Sequence, residues 1–277
     1  MNYVRYTFTC HPVKPTTEIL ISLLAELEFE SFVENDLGLE AFVQEKLDPP
    51  ERVGELVNTL EGEIGWEREL IPDRNWNAQW EADYQPVEVE KTFLIRAPFH
   101  PEDSSFEYEI LIQPQMSFGT GHHETTRLML LALKELEVEG KKVADAGSGT
   151  GVLAIAAEKM GADSVFAYDV EDWAFQNTVD NIALNDSKVE VKKGDSNLMQ
   201  GRNFDIILAN INKNVLKEDM AVFSDSLQSE GYILLSGFFV TDISEMVEIC
   251  ERFGLKKVSE KRENDWAQLT LQKVRHG

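Results

Sequence analysis

Cysteine is nearly absent from this 277-residue chain: Cys10 and Cys250 stand far apart, with no Cys-x-x-Cys or Cys/His spacing around them. That excludes a disulfide scaffold and a cysteine-based metal or redox motif, and it fits a reducing compartment. Positive charge is scarce as well. Lys and Arg total 26 against 50 Asp and Glu, a formal net charge of −24, which is the reverse of what a phosphate-backbone binder needs, so no direct nucleic-acid partner is expected. Long apolar runs are missing. The longest, Leu128 to Leu133 and Val152 to Ala157, stop at six residues, where a membrane span needs about 20. The first twenty residues hold Arg5, Lys14 and two prolines but no continuous apolar stretch. The expectation is a soluble, cytoplasmic protein with no secretory leader and no membrane partner.

The chain is nevertheless 43% hydrophobic, enough for one large or two medium domains with their own cores. Its acid is uneven: residues 1 to 90 hold 6 basic and 20 acidic residues, residues 91 to 277 hold 20 and 30. The first third thus carries about three times the negative charge density of the rest. Two readings stay open, a solvated face that favours solubility and a docking surface for a basic partner.

Residues 3 to 9 alternate and are rich in β-formers, and Leu20, Leu23, Leu24 and Leu27 then recur at helical spacing behind Thr16 and Thr17. Strand-like runs from Glu30 to Glu34 and Leu39 to Gln44 flank an Asn-Asp-Leu-Gly turn at 35 to 38. Pro49-Pro50 starts a second helix, and a last strand covers Ile64 to Leu70. The order β-α-β-β-α-β predicts a small α+β, ferredoxin-like domain over 1–70. Residues 71–90 read as a helical linker in which Trp76 and Trp80 share one face, either to pack or to form a platform. In 91–277, strands near 92 to 97 and 107 to 113 lead to a Gly-rich loop. Strands follow at 142 to 146, 164 to 169, 188 to 193, 204 to 209 and 231 to 236, with helices between them, one over 213 to 227. This alternation predicts an α/β domain with a mostly parallel sheet. A hairpin over 255 to 261 and 265 to 272 adds to one edge.

The segment VADAGSGTG, Val143 to Gly151, joins a strand to a helix, and Gly147, Gly149 and Gly151 allow a tight turn that brings N–H groups against a ligand. A merely structural turn is the alternative. The following strand ends in Asp169, about 20 residues beyond Gly147, where a carboxylate can take both ribose hydroxyls of an adenosine-containing cofactor. A nicotinamide fingerprint wants a third glycine at position 152, which is Val.

Asp145 followed by G-x-G-x-G resembles motif one of the class I S-adenosylmethionine methyltransferases. MSFGTGHHETT (Met116 to Thr126), LANIN (Leu208 to Asn212), the Asp73-x-x-Trp76-x-x-x-Trp80 connector and the N-terminal unit extend the likeness over nearly the whole chain. Together they resemble the family that methylates ribosomal protein eleven of the large subunit. The resemblance implies a Rossmann-like class I methyltransferase domain with a mixed, mostly parallel seven-stranded sheet behind the ferredoxin-like one. It implies that Thr126, Gly147, Asp169 and Asn210 contact S-adenosylmethionine, with Asp145 and Gly149 in the same loop. Asp195 sits where the wider class often places an acid near the adenine amino group, although a Gly-Asp turn explains it nearly as well. Asn210 takes the slot from which amino-methylating enzymes receive the target amine, and it is assigned to cofactor and amine positioning. The loop departs from the family spelling at Ala144, Ser148 and Thr150, all small residues.

The implied activity is transfer of methyl groups to lysine side chains and the N-terminal amine of that basic ribosomal protein; a methyltransferase of another protein or of a small molecule is the alternative. No metal is expected at His122, His123 and Glu124, because neighbouring side chains in a loop diverge and no third ligand has a recognised spacing. A monomer is expected.

Overall fold

The structure, a computed structural model, describes residues 2–71, 85–113 and 124–274. The chain divides into two compact units, Met1–Asp83 and Tyr84–Gly277.

In the first unit, β1 (Tyr3–His11), α1 (Thr16–Ala25), β2 (Ser31–Asn35), β3 (Gly38–Gln44), α2 (Pro50–Asn58) and β4 (Glu63–Ile71) follow the order read from the sequence. The sheet order is β2-β3-β1-β4, with every pairing antiparallel, the ferredoxin-like arrangement. Val4, Tyr6, Phe8 and Cys10 alternate inward from β1 onto Leu20 and Leu24 of α1, Leu39 and Val43 of β3, and Val53 of α2. The β2–β3 turn closes where Asn35 Oδ1 accepts the Leu37 and Gly38 N–H groups at 2.9 and 3.0 Å.

The second unit opens with a three-stranded sheet, β5 (Val87–Val89), β6 (Phe93–Arg96) and β7 (Tyr108–Leu111), in which β6 and β7 are parallel. The three residues of β5 are too few to show alternation, so the sequence carries no sign of that strand. After α3 (Glu124–Leu133) come β8 (Lys142–Ala146), α4 (Val152–Lys159), β9 (Ser164–Asp169), α5 (Asp172–Leu184), β10 (Glu190–Lys193), β11 (Phe204–Asn210), α6 (Lys213–Ser226), β12 (Leu227–Phe239), α7 (Ile243–Arg252), β13 (Leu255–Glu263) and β14 (Trp266–Lys273). The seven strands order as β10-β9-β8-β11-β12-β14-β13. The first five are parallel, and the terminal hairpin adds antiparallel through β14.

Two cores cover the two faces. One packs Val143, Ala167, Leu208 and Leu234 under α3 and α4. The other packs Ala144, Phe166, Ile207, Leu235 and Leu269 under α6 and α7. Met129 and Leu133 of α3 are fully buried in the first core with Leu136 beside them, as the core stripe required.

Candidate active site

The strand registers bring the chemistry to one row. Leu208 of β11 lies beside Asp145 of β8, which lies beside Ala167 of β9. Two residues further on, at the carboxyl ends of the strands, stand Asn210, Gly147 and Asp169. Asn210 is in register with Ser236 of β12, and Ser236 with Gln268 of β14. Side chains alternate along a strand, so Asp169, Asn210, Ser236 and Gln268 project to the same face as Ala167, Leu208, Leu234 and Thr270, the face covered by α3 and α4. The carboxyl end of a parallel sheet, where strand order reverses between β8 and β11, is where open α/β sheets bind ligands.

The glycine loop is held from below and from the side. The N–H groups of Gly147 and Ser148 donate to the Tyr168 carbonyl at 2.9 and 3.0 Å. Gly149 N–H donates to Asp169 Oδ2 at 2.9 Å, and Glu171 N–H donates to Asp169 Oδ1 at 3.1 Å. The carboxylate of Asp169 is therefore fixed at the loop it faces. Gly147 has φ +71°, and a Cβ there would stand 2.3 Å from Ile211 Cγ2. Only glycine fits that left-handed corner.

Asp145 is nearly fully buried, and its Oδ2 accepts the Ala154 N–H in the first turn of α4 at 3.1 Å. Burial, aided by the charge of Asp169, pushes its pKa up to about 7. Asp145 thus braces the loop from inside the fold. Asp195 is exposed, and its Oδ1 caps the following turn by accepting the Asn197 N–H at 3.0 Å, the local role that a Gly-Asp turn suggests. Thr126, in the first turn of α3, is buried, and its Oγ1 has no hydrogen-bond partner among the described residues.

Some of the machinery was not singled out from the sequence. Asn212 caps α6, its Oδ1 accepting from Asn214 and Val215 N–H at 3.1 and 3.2 Å, and so fixes the chain just past Asn210. On α5, Asn181 Nδ2 donates to the Thr150 carbonyl at 2.9 Å while its Oδ1 accepts the Gln113 N–H at 2.8 Å. Asn185 exchanges two bonds with Leu111, and the Ser148 and Thr178 hydroxyls meet at 2.9 Å. The small loop residues Ser148 and Thr150 are thereby tied to α5. Asn177, Thr178 and Asn181 are buried, and a polar stripe at helical spacing where apolar residues belong is the signal that could have found them.

A cavity of about 610 Å³ lies at the opposite, amino-terminal end of the strands, lined by Lys142, Ser164, Glu190 and Arg202 among others. Arg202 is occupied there, paired with Glu190 and stacked 3.8 Å over the Phe166 ring. It is remote from the row and takes no part in it. Trp76, Trp80 and Met116 to His123, with the roles expected of them, lie outside the described residues. The chain on either side of that last segment is anchored, at Gln113 by Asn181 and at Glu124, whose Oε1 accepts from Asn264 Nδ2 at 3.0 Å.

An orphaned hydroxyl at Thr126, a glycine corner closed to any Cβ and a carboxylate at the end of the second strand of the sheet fit a nucleoside cofactor with a compact polar tail. The sheet order, with one antiparallel strand between the last parallel strand and the edge, together with this row, defines a class I methyltransferase. A family model described as ribosomal protein L11 methyltransferase matches residues 17–274. The chain is 42% identical to the ribosomal protein L11 methyltransferase of Porphyromonas gingivalis, over 97% of each chain. It is 41% identical to that of Phocaeicola vulgatus, over 96% of this chain and 98% of the relative. A crystal structure of the ribosomal protein L11 methylase from Lactobacillus delbrueckii subsp. bulgaricus superimposes with a TM-score of 0.65 at 26% identity, over 69% of this chain and all of that one. The chain belongs to the ribosomal protein L11 methyltransferase family.

Proposed function

We propose that this enzyme transfers methyl groups from S-adenosylmethionine to the lysine side chains and N-terminal amine of ribosomal protein L11. The observation that carries this reading is the single row from Asp169 through Gly147 to Asn210. When bound, the cofactor supplies an electrophilic methyl group on a sulfonium. Asp169 would hold the ribose hydroxyls, Thr126 Oγ1 the polar tail, and the Gly147 backbone the methionine end. The free oxygen of Asp195 accepts from the adenine amino group. Asn210 Oδ1 would accept an N–H of the incoming amine and so orient it for transfer.

Asn210 has no basic atom to remove a proton, so the amine must arrive neutral. For a lysine of pKa about 10.4, neutrality at pH 7 costs about 4.6 kcal/mol, against about 1 kcal/mol for an α-amine near 7.8. In-line placement supplies the acceleration without a covalent intermediate. The acidic first unit draws the basic protein substrate from outside. Residues 1–70 thus serve as the substrate-recognition domain, and 71–90 as the linker that lets different amines of one substrate reach one site.

The test is to incubate the enzyme with labelled S-adenosylmethionine and unmodified ribosomal proteins, then locate the label by mass spectrometry. Label on amines of L11, lost in Asp169→Ala, is the expected result. Label confined to another protein or absent altogether refutes the substrate assignment.

A further inference from the structure

Gln268 is fully buried in β14. Its Nε2 donates to Thr270 Oγ1 at 3.0 Å, and its Oε1 has no donor among the described residues. A buried acceptor left unbonded costs about 1–3 kcal/mol, so a glutamine here, whose only bonded neighbour on its face of β14 is Thr270, needs an explanation that packing does not supply. Its place in the row supplies one. Asp169 and Gly147 stand on the cofactor side of Asn210, and Ser236 and Gln268 continue the row on the far side. With the cofactor held at Asp169 and Gly147, the acceptor nitrogen of an in-line displacement would lie beyond Asn210, toward Gln268.

Strands are about 4.8 Å apart, so Asn210 and Gln268 are about 10 Å apart at the backbone. Ser236 between them is small, and its hydroxyl is turned away onto the Ala267 carbonyl at 2.7 Å. Two side chains and two hydrogen bonds of about 2.9 Å span that gap around a nitrogen seated over Ser236.

We propose that Gln268 Oε1 is the second hydrogen-bond acceptor for the substrate amine, paired with Asn210 across Ser236. The inference rests on the amine-transfer reading above. A primary amine with its lone pair aimed at the methyl group has two N–H bonds to place, and two acceptors hold it in line. Its lone pair forms the N–C bond as the C–S bond breaks, the bonding pair stays on sulfur, and the resulting ammonium releases a proton to water. The secondary amine keeps one N–H and the tertiary amine none. Gln268 therefore acts on the first transfer and has nothing to hold in the third.

The experiment compares wild type with Gln268→Leu, and with Gln268→Met as a second variant should the first fold poorly. Unmodified L11 reports the first transfer, and L11 dimethylated beforehand by reductive methylation reports the third. Calorimetric affinity for S-adenosylhomocysteine and the melting temperature are measured on the same samples. The expected result is a first transfer slowed about 5- to 10-fold, as loss of one hydrogen bond allows, with the third transfer and the affinity unchanged within twofold. Equal slowing of both transfers, or of neither, overturns the proposal. Wild type that binds S-adenosylhomocysteine and leaves L11 unmodified overturns the amine-transfer reading, and the role of Gln268 with it.

Discussion

Replacing Gly147 by alanine separates two physical costs that the structure places at one atom. The first is conformational: φ is +71°, a left-handed backbone that costs an L-residue about 1–2 kcal/mol. The second is steric. The added methyl would stand 2.3 Å from Ile211 Cγ2, far inside contact distance, and relieving such an overlap costs about 1–3 kcal/mol. Gly147→Ala alone should therefore lose about 2–5 kcal/mol. Ile211 Cβ is 3.7 Å from the same point, an ordinary contact, so Ile211→Ala removes the overlap and leaves the backbone cost. The double variant should recover about 1–3 kcal/mol relative to the sum of the single variants. Urea unfolding at equilibrium measures each corner of the cycle. Additivity within about 0.5 kcal/mol would show that Ile211 does not close the glycine corner. Because Ile211 adjoins Asn210, displacement of the former in Gly147→Ala should also slow methyl transfer, and the double variant should regain part of that rate.

Burial raises Asp145 from its ordinary carboxylate range to about 7. Between about pH 4 and pH 7 the folded state holds a proton that the unfolded state releases, so its contribution to stability is full below pH 4 and fades as pH rises through 7. Three pH units correspond to about 4 kcal/mol; Asp145→Asn should remove this slope, and parallel stability-against-pH curves for variant and wild type would refute it. Asn181→Leu leaves the Thr150 carbonyl and Gln113 N–H without their shared partner. It should lower stability by about 2–4 kcal/mol in urea and weaken cofactor affinity; a loss under about 0.5 kcal/mol would deny the ladder its role. Glu63 and Glu67 are exposed on β4. Converting both to Lys should raise KM for L11 several-fold at low salt, and less at high salt, with kcat unchanged; an unchanged KM would refute steering by the first unit.

Where the sequence was informative, the cause was burial on a regular element. β8 and β9 match their expected ranges because Val143, Val165 and Ala167 sit in short apolar runs between loop residues. β12 runs over Leu227–Phe239, well beyond the expected 231 to 236, since Gln228, Ser229 and Glu230 are exposed and break the pattern. The glycine loop and Asp169 were legible because chain geometry dictates glycine and a strand-end acid. The asparagine ladder of α5 was not, since a polar helical stripe reads as a solvent face until the partner carbonyls are placed. Gln268 was hidden for a related reason. The alternation of Trp266 to Gln272 suggests one wet face, whereas β14 lies inside the sheet between β12 and β13 with both faces covered.

The most direct test of the row from Asp169 to Asn210 is a calorimetric titration of the enzyme with S-adenosylhomocysteine, wild type against Asp169→Ala, with melting temperatures as the folding control. Two hydrogen bonds from ribose to a carboxylate contribute about 2–4 kcal/mol together, so the expected result is saturable one-to-one binding by wild type and a loss of about 30-fold or more in the variant. Equal binding by both proteins would contradict the placement of the cofactor on this row.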